Sequence, residues 1–244
     1  MKRLLVLQHL EREGPGLFSR IAKERGLGIY VFRLDLGHSL PILEEGDLVL
    51  ILGGPMGVRD INDNKYPWLS NEIEFIREAL NKNIGIIGVC LGAQLLAYAA
   101  GGYVEELLGG SPPQPLPEIG WDYIFSASNS KINSLSSFLE EPMPVLHWHG
   151  DRILLPLNAD LIASSNRCKE QFFKIGTLAF GLQFHIEITD EMVLKWINED
   201  NDFTQLALGS NARFLLENQQ KEFGMGTLQS RFDFINQIFD HIGV

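Results

Sequence analysis

Four short runs, RLLVL (3–7), GIYVFRL (28–34), DLVLIL (47–52) and IGIIGV (84–89), are apolar along most of their length, and helical patterns alternate with them. A strand that is apolar at every position offers no face to water, so it must be covered on both sides. Gly14–Gly26 has Pro15 at its start and Gly26 at its end, the order helices prefer. Leu69, Ile73, Ile76 and Leu80 recur at helical spacing within Trp68–Asn83, and Leu91–Gly101 reads as the next helix. This alternation predicts an α/β protein with a parallel sheet between helical layers.

The middle of the chain changes character. Gly109–Trp121 carries four prolines and is expected to be a loop. Strand-like pieces follow at Tyr123–Ala127, Met143–Gly150, Ala159–Ser165, Glu170–Gly176 and Leu178–Glu187, with no helix needed between them. They predict mixed or antiparallel additions to the sheet. The tail from about residue 200 to 244 reads as helical, with Leu228, Phe232, Ile235, Phe239 and Ile242 on one face that is expected to cover the core. No internal repeat, low-complexity tract or linker divides the chain, so residues 1–244 are expected to form a single domain.

The net charge is −11 and the Lys and Arg residues are scattered, which argues against a nucleic-acid surface. The N-terminal apolar run is only Leu4–Leu7, too short for a secretory signal, and no stretch is long enough for a membrane span. Two cysteines, Cys90 and Cys168, make no disulfide framework. A cytoplasmic protein is expected.

Cys90 stands in Gly88-Val89-Cys90-Leu91-Gly92, between a predicted strand and a predicted helix. Such a turn crowds the backbone, requires small residues two places to either side, and projects its central side chain from the carboxyl edge of a sheet. The helix start beyond it favours a thiolate. A cysteine at such a junction is also ordinary packing, so partners decide. His185 and Glu187 are two apart on a predicted strand and share a face, so one carboxylate can orient the imidazole. Simple edge decoration has the same spacing. Leu52–Val58 (LGGPMGV) follows a strand, and its glycines let backbone N–H groups approach a ligand, although Gly-Gly-Pro is also a common turn.

In this order, glycine loop, cysteine elbow and His-x-Glu, the three signals are specific together. From about Asp47 to Glu187, through GGPMG, GVCLGAQLLA, EIGW, HWHGD and GLQFHIE, the chain resembles the class I, triad-type glutamine amidotransferases. It is most similar to stand-alone proteins resembling the glutaminase domain of GMP synthase. The resemblance implies a flavodoxin-like three-layer sandwich with a mostly parallel central sheet, antiparallel additions and a helical C-terminal extension. It implies Cys90 as nucleophile, His185 as general base and acid, and Glu187 as its orienter. Gly54 and Leu91 would form the oxyanion hole, and Gln94, Trp148 and His149 would hold the amino-acid end of glutamine. No cofactor is implied. The family usually has proline between the catalytic His and Glu; here Ile186 takes that place and is expected to point away from the site. The chain lacks the Ser-Gly-Gly nucleotide loop and the P-loop phosphate motif, so a synthetase would be a separate partner.

Three readings follow. The first is hydrolysis of glutamine with ammonia passed to a partner, the second hydrolysis of a γ-glutamyl peptide or amide by the same residues, and the third a regulatory or binding subunit on this fold. His9, just after the first strand, is a candidate for the site's edge. His147 and Cys168 read as structural, and His38 and His241 carry no signal. No His or Cys spacing fits zinc, so no metal is expected.

Overall fold

The computed structural model describes residues 2–127 and 139–244. The first half contains β1 (Arg3–Gln8), α1 (Gly16–Glu24), β2 (Gly28–Arg33), β3 (Leu48–Ile51), α2 (Leu69–Asn81), β4 (Gly85–Val89), α3 (Leu91–Ala99), β5 (Tyr103–Glu106), β6 (Leu108–Gly109) and β7 (Gln114–Pro115). The strand-rich middle contains β8 (Glu118–Ser126), β9 (Met143–His149), β10 (Asp151–Leu154), β11 (Ala159–Ser164), β12 (Phe172–Ile175) and β13 (Ala179–Leu182). The tail is α4 (Asp190–Glu199), α5 (Asn201–Leu208), α6 (Ala212–Phe223) and α7 (Leu228–Ile242).

Nine strands form one sheet in the order β2-β1-β3-β4-β13-β12-β11-β8-β9. The five from β2 to β13 run parallel; β12, β11, β8 and β9 continue the sheet by antiparallel pairing. The sequence therefore anticipates both halves of a mixed sheet. The strand order reverses at β1, beside β3, and the carboxyl ends there form the crevice that open α/β sheets use for ligands.

Apolar residues divide by face, as a period of two requires. Leu4, Val6, Leu48 and Leu50 pack with Phe18, Ile21, Phe234 and Ile238 of α1 and α7. Leu5, Leu7, Val49 and Ile51 pack with Ile73, Ile76, Leu95 and Leu96 of α2 and α3. A third cluster joins Trp121, Leu146 and Trp148 of the β8–β9 ribbon to Val193, Trp196, Ile197 and Leu216 of α4 and α6.

Four local expectations change. Gly109–Trp121 is not all loop: β6 and β7 pair within it, and Glu118–Trp121 opens the long buried strand β8. The predicted strand at Leu178–Glu187 ends at Leu182, and among the described residues one isolated bridge, His185 with Leu146, continues it. The run at Gly28–Leu34 is an edge strand, so Tyr30 and Val31 are exposed instead of buried. On α7 the buried face centres on Arg231, Phe234, Ile235, Ile238 and Phe239, rotated from the predicted stripe.

Arg231 is the reason for that rotation. It is 2% exposed and donates to the carbonyls of Ile188 at 2.7 Å, Gly224 at 3.0 Å and Ile186 at 3.3 Å. Burial lowers its pKa to about 10, which leaves it charged at neutral pH. The two carbonyls from Ile186 and Ile188 flank Glu187, so the last helix fixes the segment that carries a candidate site residue.

Candidate active site

The elbow is built as its residues require. Cys90 has φ 51° and ψ −106°, a strained conformation for a residue with a side chain. A Cβ on Gly88 would lie 2.4 Å from the Gly92 carbonyl oxygen, and one on Gly92 would lie 2.1 Å from that of Ile51. Both contacts are with backbone, which cannot swing aside. Gly92→Ala is expected to destabilise the fold by about 3 kcal/mol or more. A urea-denaturation midpoint unchanged from wild type would show that the elbow yields. Leu91 is the first residue of α3, so its N–H has no carbonyl within the helix to bond.

His185 lies on the other side of the thiol. Its amide donates to the Leu146 carbonyl at 2.8 Å, which holds the segment against β9. Its imidazole adjoins Cys90, since a Cβ on Gly53 would lie 3.2 Å from His185 Cε1 and 3.6 Å from Cys90 Cβ, and Nδ1 donates to Glu187 Oε1 at 2.8 Å. Trp196 of α4 packs edge-on to the imidazole, with ring centroids 4.7 Å apart. Burial alone would lower the His185 pKa, but the Glu187 charge, the neighbouring Cys90 and the hydrogen bond to Glu187 outweigh it and hold the ring well above its usual value. Ile186, between the two polar residues, is fully buried in the core. Glu187 is fixed from behind as well: its carbonyl accepts the Leu17 amide at 2.8 Å, and a Cβ on Gly16 would lie 2.0 Å from that oxygen.

A cavity of about 320 Å³ opens over the sulfur. Gly54, Cys90, Leu91, Gln94, Trp148, His149 and His185 all line it, and Glu187 stands behind His185. Gln94 Nε2 donates to Gln183 Oε1 at 3.3 Å. Trp148 Nε1 donates to Asp200 Oδ2 at 2.9 Å, and its carbonyl lies 3.8 Å from the sulfur. His149 contributes a ring edge only, because its Nδ1 bonds to the Asp151 carbonyl at 2.8 Å and its Nε2 to Glu118 at 3.1 Å.

Three groups of wall residues give no sequence signal. Glu13 stands where a Cβ on Gly53 would be 2.3 Å from its Oε2 and 3.2 Å from His185 Cε1, so its carboxyl adjoins the imidazole. Burial raises the Glu13 pKa, against the lowering charges of His185 and Arg12. Trp196, Asp200 and Phe203 come from α4, α5 and the residue between them, and Arg12 ties this wall down through a 2.6 Å pair with Asp200. Only the tertiary fold brings these to the site.

Behind the cavity, Glu118, His147 and His149 bring three buried ligand atoms within 4.8 Å of one another, a set chemically able to hold a cation. Spacing along the chain does not reveal it, because Glu118 enters from the neighbouring strand. Glu118 Oε2 already accepts from Gln171 at 2.7 Å and pairs with His149. Burial lowers the His147 pKa to about 4, outweighing the pull of Glu118. A native pKa of about 4 against 6.5 unfolded means the unfolded chain binds more protons between these values. Stability from this group is therefore full above pH 6.5 and falls toward pH 4, by at most about 3 kcal/mol. His147→Phe should flatten urea-measured stability across that window; an unchanged slope would refute the assignment.

A cysteine on a strand-to-helix elbow with a His–Glu pair beside it, at the carboxyl edge of a mixed α/β sheet, defines the class of fold and site. The chain belongs to the class I glutamine amidotransferase family, whose model matches residues 17–193. It is 29% identical over 216 residues to the glutamine amidotransferase-like protein YfeJ of Salmonella typhimurium, covering 87% of this chain and 86% of that one. Shorter matches reach one subunit of the glutamine-hydrolysing GMP synthase of Saccharolobus solfataricus (28% identical, 60% of this chain and 70% of the relative) and γ-glutamyl peptidase 3 of Arabidopsis thaliana (27%, 54% and 52%). The crystal structure of a glutamine amidotransferase from Thermotoga maritima superposes with a TM-score of 0.81 at 29% identity, covering 99% of this chain and 98% of that one.

Proposed function

We propose that this chain, as a single domain, hydrolyses the side-chain amide of glutamine or of a γ-glutamyl compound through a cysteinyl thioester. The observation that carries the reading is that Cys90, His185 and Glu187 stand side by side, with Gly54 and Leu91 lining the cavity over the sulfur. The Cys90 sulfur attacks the amide carbon, and the oxyanion is held by the N–H groups of Gly54 and Leu91. His185 passes its proton to the leaving amine, which departs as ammonia when the substrate is glutamine. It then takes a proton from water, whose attack on the thioester releases glutamate and restores the thiol. Glu187 keeps the imidazole oriented throughout. Gln94 and Trp148 form the wall for the amino-acid end. Every bond made or broken in this cycle is served by side chains or backbone of the chain itself, so no cofactor takes part. A reactive thiol of this kind fits a reducing compartment such as the cytoplasm.

Two observations favour a γ-glutamyl amide larger than glutamine as a second substrate: the volume of the cavity, about 320 Å³, and the aromatic wall of Trp196 and Phe203. Kinship with a γ-glutamyl peptidase agrees with it, whereas kinship with part of a GMP synthase favours ammonia delivery to a separate synthetase.

The test is release of ammonia from glutamine by the purified chain, in competition with a γ-glutamyl dipeptide. Cys90-dependent release supports the glutaminase reading. Preferential cleavage of the dipeptide supports the second. No turnover of either, with Cys90 unreactive toward a glutamine-like chloroketone, would overturn both and leave a binding or regulatory subunit.

A further inference from the structure

His9 and Glu72 form a buried pair that the reaction above does not use. His9 lies just beyond β1 at the carboxyl edge of the sheet and is 1% exposed; Glu72, on α2, is fully buried. His9 Nε2 lies 2.9 Å and 3.1 Å from the two carboxylate oxygens of Glu72, and Nδ1 lies 3.0 Å from the Gly53 carbonyl oxygen. A carbonyl only accepts, so Nδ1 carries a hydrogen and donates to Gly53. Burial would lower the His9 pKa, but the charge and hydrogen bond of Glu72, with the bond to Gly53, raise it above its usual value. Both ring nitrogens therefore face acceptors and are placed to donate.

A buried ion pair is weak evidence for stability, since the cost of desolvation can exceed the attraction. Its position suggests another use. Gly53 and Gly54 share one trans peptide, so the Gly54 N–H points away from the Gly53 carbonyl and from His9. Two consecutive glycines leave that peptide plane free to rotate at little cost. A half-turn would withdraw the N–H and present a carbonyl oxygen to the place where the oxyanion develops. His9 packs directly behind the loop, since a Cβ on Gly54 would lie 3.2 Å from His9 Cβ.

We propose that the His9–Glu72 pair locks the Gly53–Gly54 peptide plane and so positions the Gly54 N–H as an oxyanion donor. The inference rests on the amide-hydrolysis reading and names two positioning residues for it. Glu72 acts only through His9, and His9 only through the peptide.

The test separates tetrahedral addition from thiol reactivity. Glutamate γ-semialdehyde adds to Cys90 to give a thiohemiacetal oxyanion, whereas alkylation by iodoacetamide displaces iodide and forms no oxyanion. His9→Phe keeps a ring but loses the donor; His9→Asn keeps an N–H near the Nδ1 position. Because His9→Phe strands Glu72, His9→Phe combined with Glu72→Leu serves if the single variant does not fold. The expected result is a loss of about 100-fold in kcat and in semialdehyde affinity, with KM and the alkylation rate within about threefold of wild type. His9→Asn should recover at least about tenfold of that loss. Retention of semialdehyde affinity by His9→Phe overturns the proposal, as does an equal fall in alkylation and adduct formation, which would mean collapse of the pocket. A wild-type chain that alkylates at Cys90 but neither hydrolyses glutamine or a γ-glutamyl dipeptide nor binds the semialdehyde overturns the amide-hydrolysis reading itself.

Discussion

Cys90→Ala is expected to lower turnover of glutamine or a γ-glutamyl amide by about 10⁶-fold, the scale seen when a covalent nucleophile is removed from an enzyme that acts as a unit. The same position should respond oppositely in stability. Cys90 holds φ 51° without a glycine's freedom, so the fold carries local strain there of about 1–3 kcal/mol. Cys90→Gly should be as inactive as Cys90→Ala yet more resistant to urea than wild type. Comparable turnover by either variant, measured as ammonia release with stringent removal of contaminating glutaminase, would remove Cys90 from the mechanism.

Glu187→Gln is expected to cost roughly 10³–10⁴ in turnover with little change in fold. Nδ1 of His185 now donates to Glu187 Oε1 at 2.8 Å. An amide that turns its NH₂ toward Nδ1 imposes the other tautomer and places a hydrogen on the nitrogen that must take the thiol proton. The pH profile adds a second signature. The Glu187 charge supports the raised pKa of His185, so its removal should lower that pKa. The alkaline limb of kcat/KM reports loss of the proton shared by Cys90 and His185, and it should move to lower pH. A profile that falls in height but keeps its alkaline limb would mean that Glu187 only orients the ring.

Much of this organisation is legible along the chain. Strands buried on both faces are continuous apolar runs, and β1, β3 and β4 stand out for that reason. The elbow is legible because two close backbone approaches exclude every side chain at Gly88 and Gly92. His185 and Glu187 are legible as a pair even though β13 ends before them, since extended chain alternates its side chains whether or not it is paired. Glu118 is hidden by its prolines: Pro112, Pro113, Pro115 and Pro117 all precede it, and strand β8 begins the moment they stop. Glu13, Trp196, Asp200 and Phe203 are hidden for a different reason. Their types are ordinary for surface loops and helices; the docking of α4 and α5 against the β8–β9 ribbon turns Trp196, Asp200 and Phe203 toward the sulfur, and the loop after β1 brings in Glu13. The Arg231 clamp escapes notice because a helical stripe is read from apolar residues, and the centre of this buried face is charged.

That clamp sets an order of events in synthesis. Glu187 is held by the amide of Leu17 on α1 and, through its neighbours' carbonyls, by Arg231 on α7. A ribosome that has made everything through Glu187 has made every residue of the proposed chemistry, but not the helix that clamps the backbone on both sides of Glu187. Under the proposed reaction, a chain cut short before Arg231 should carry an idle cysteine, because the segment that bears Glu187 would lack its hold from α7.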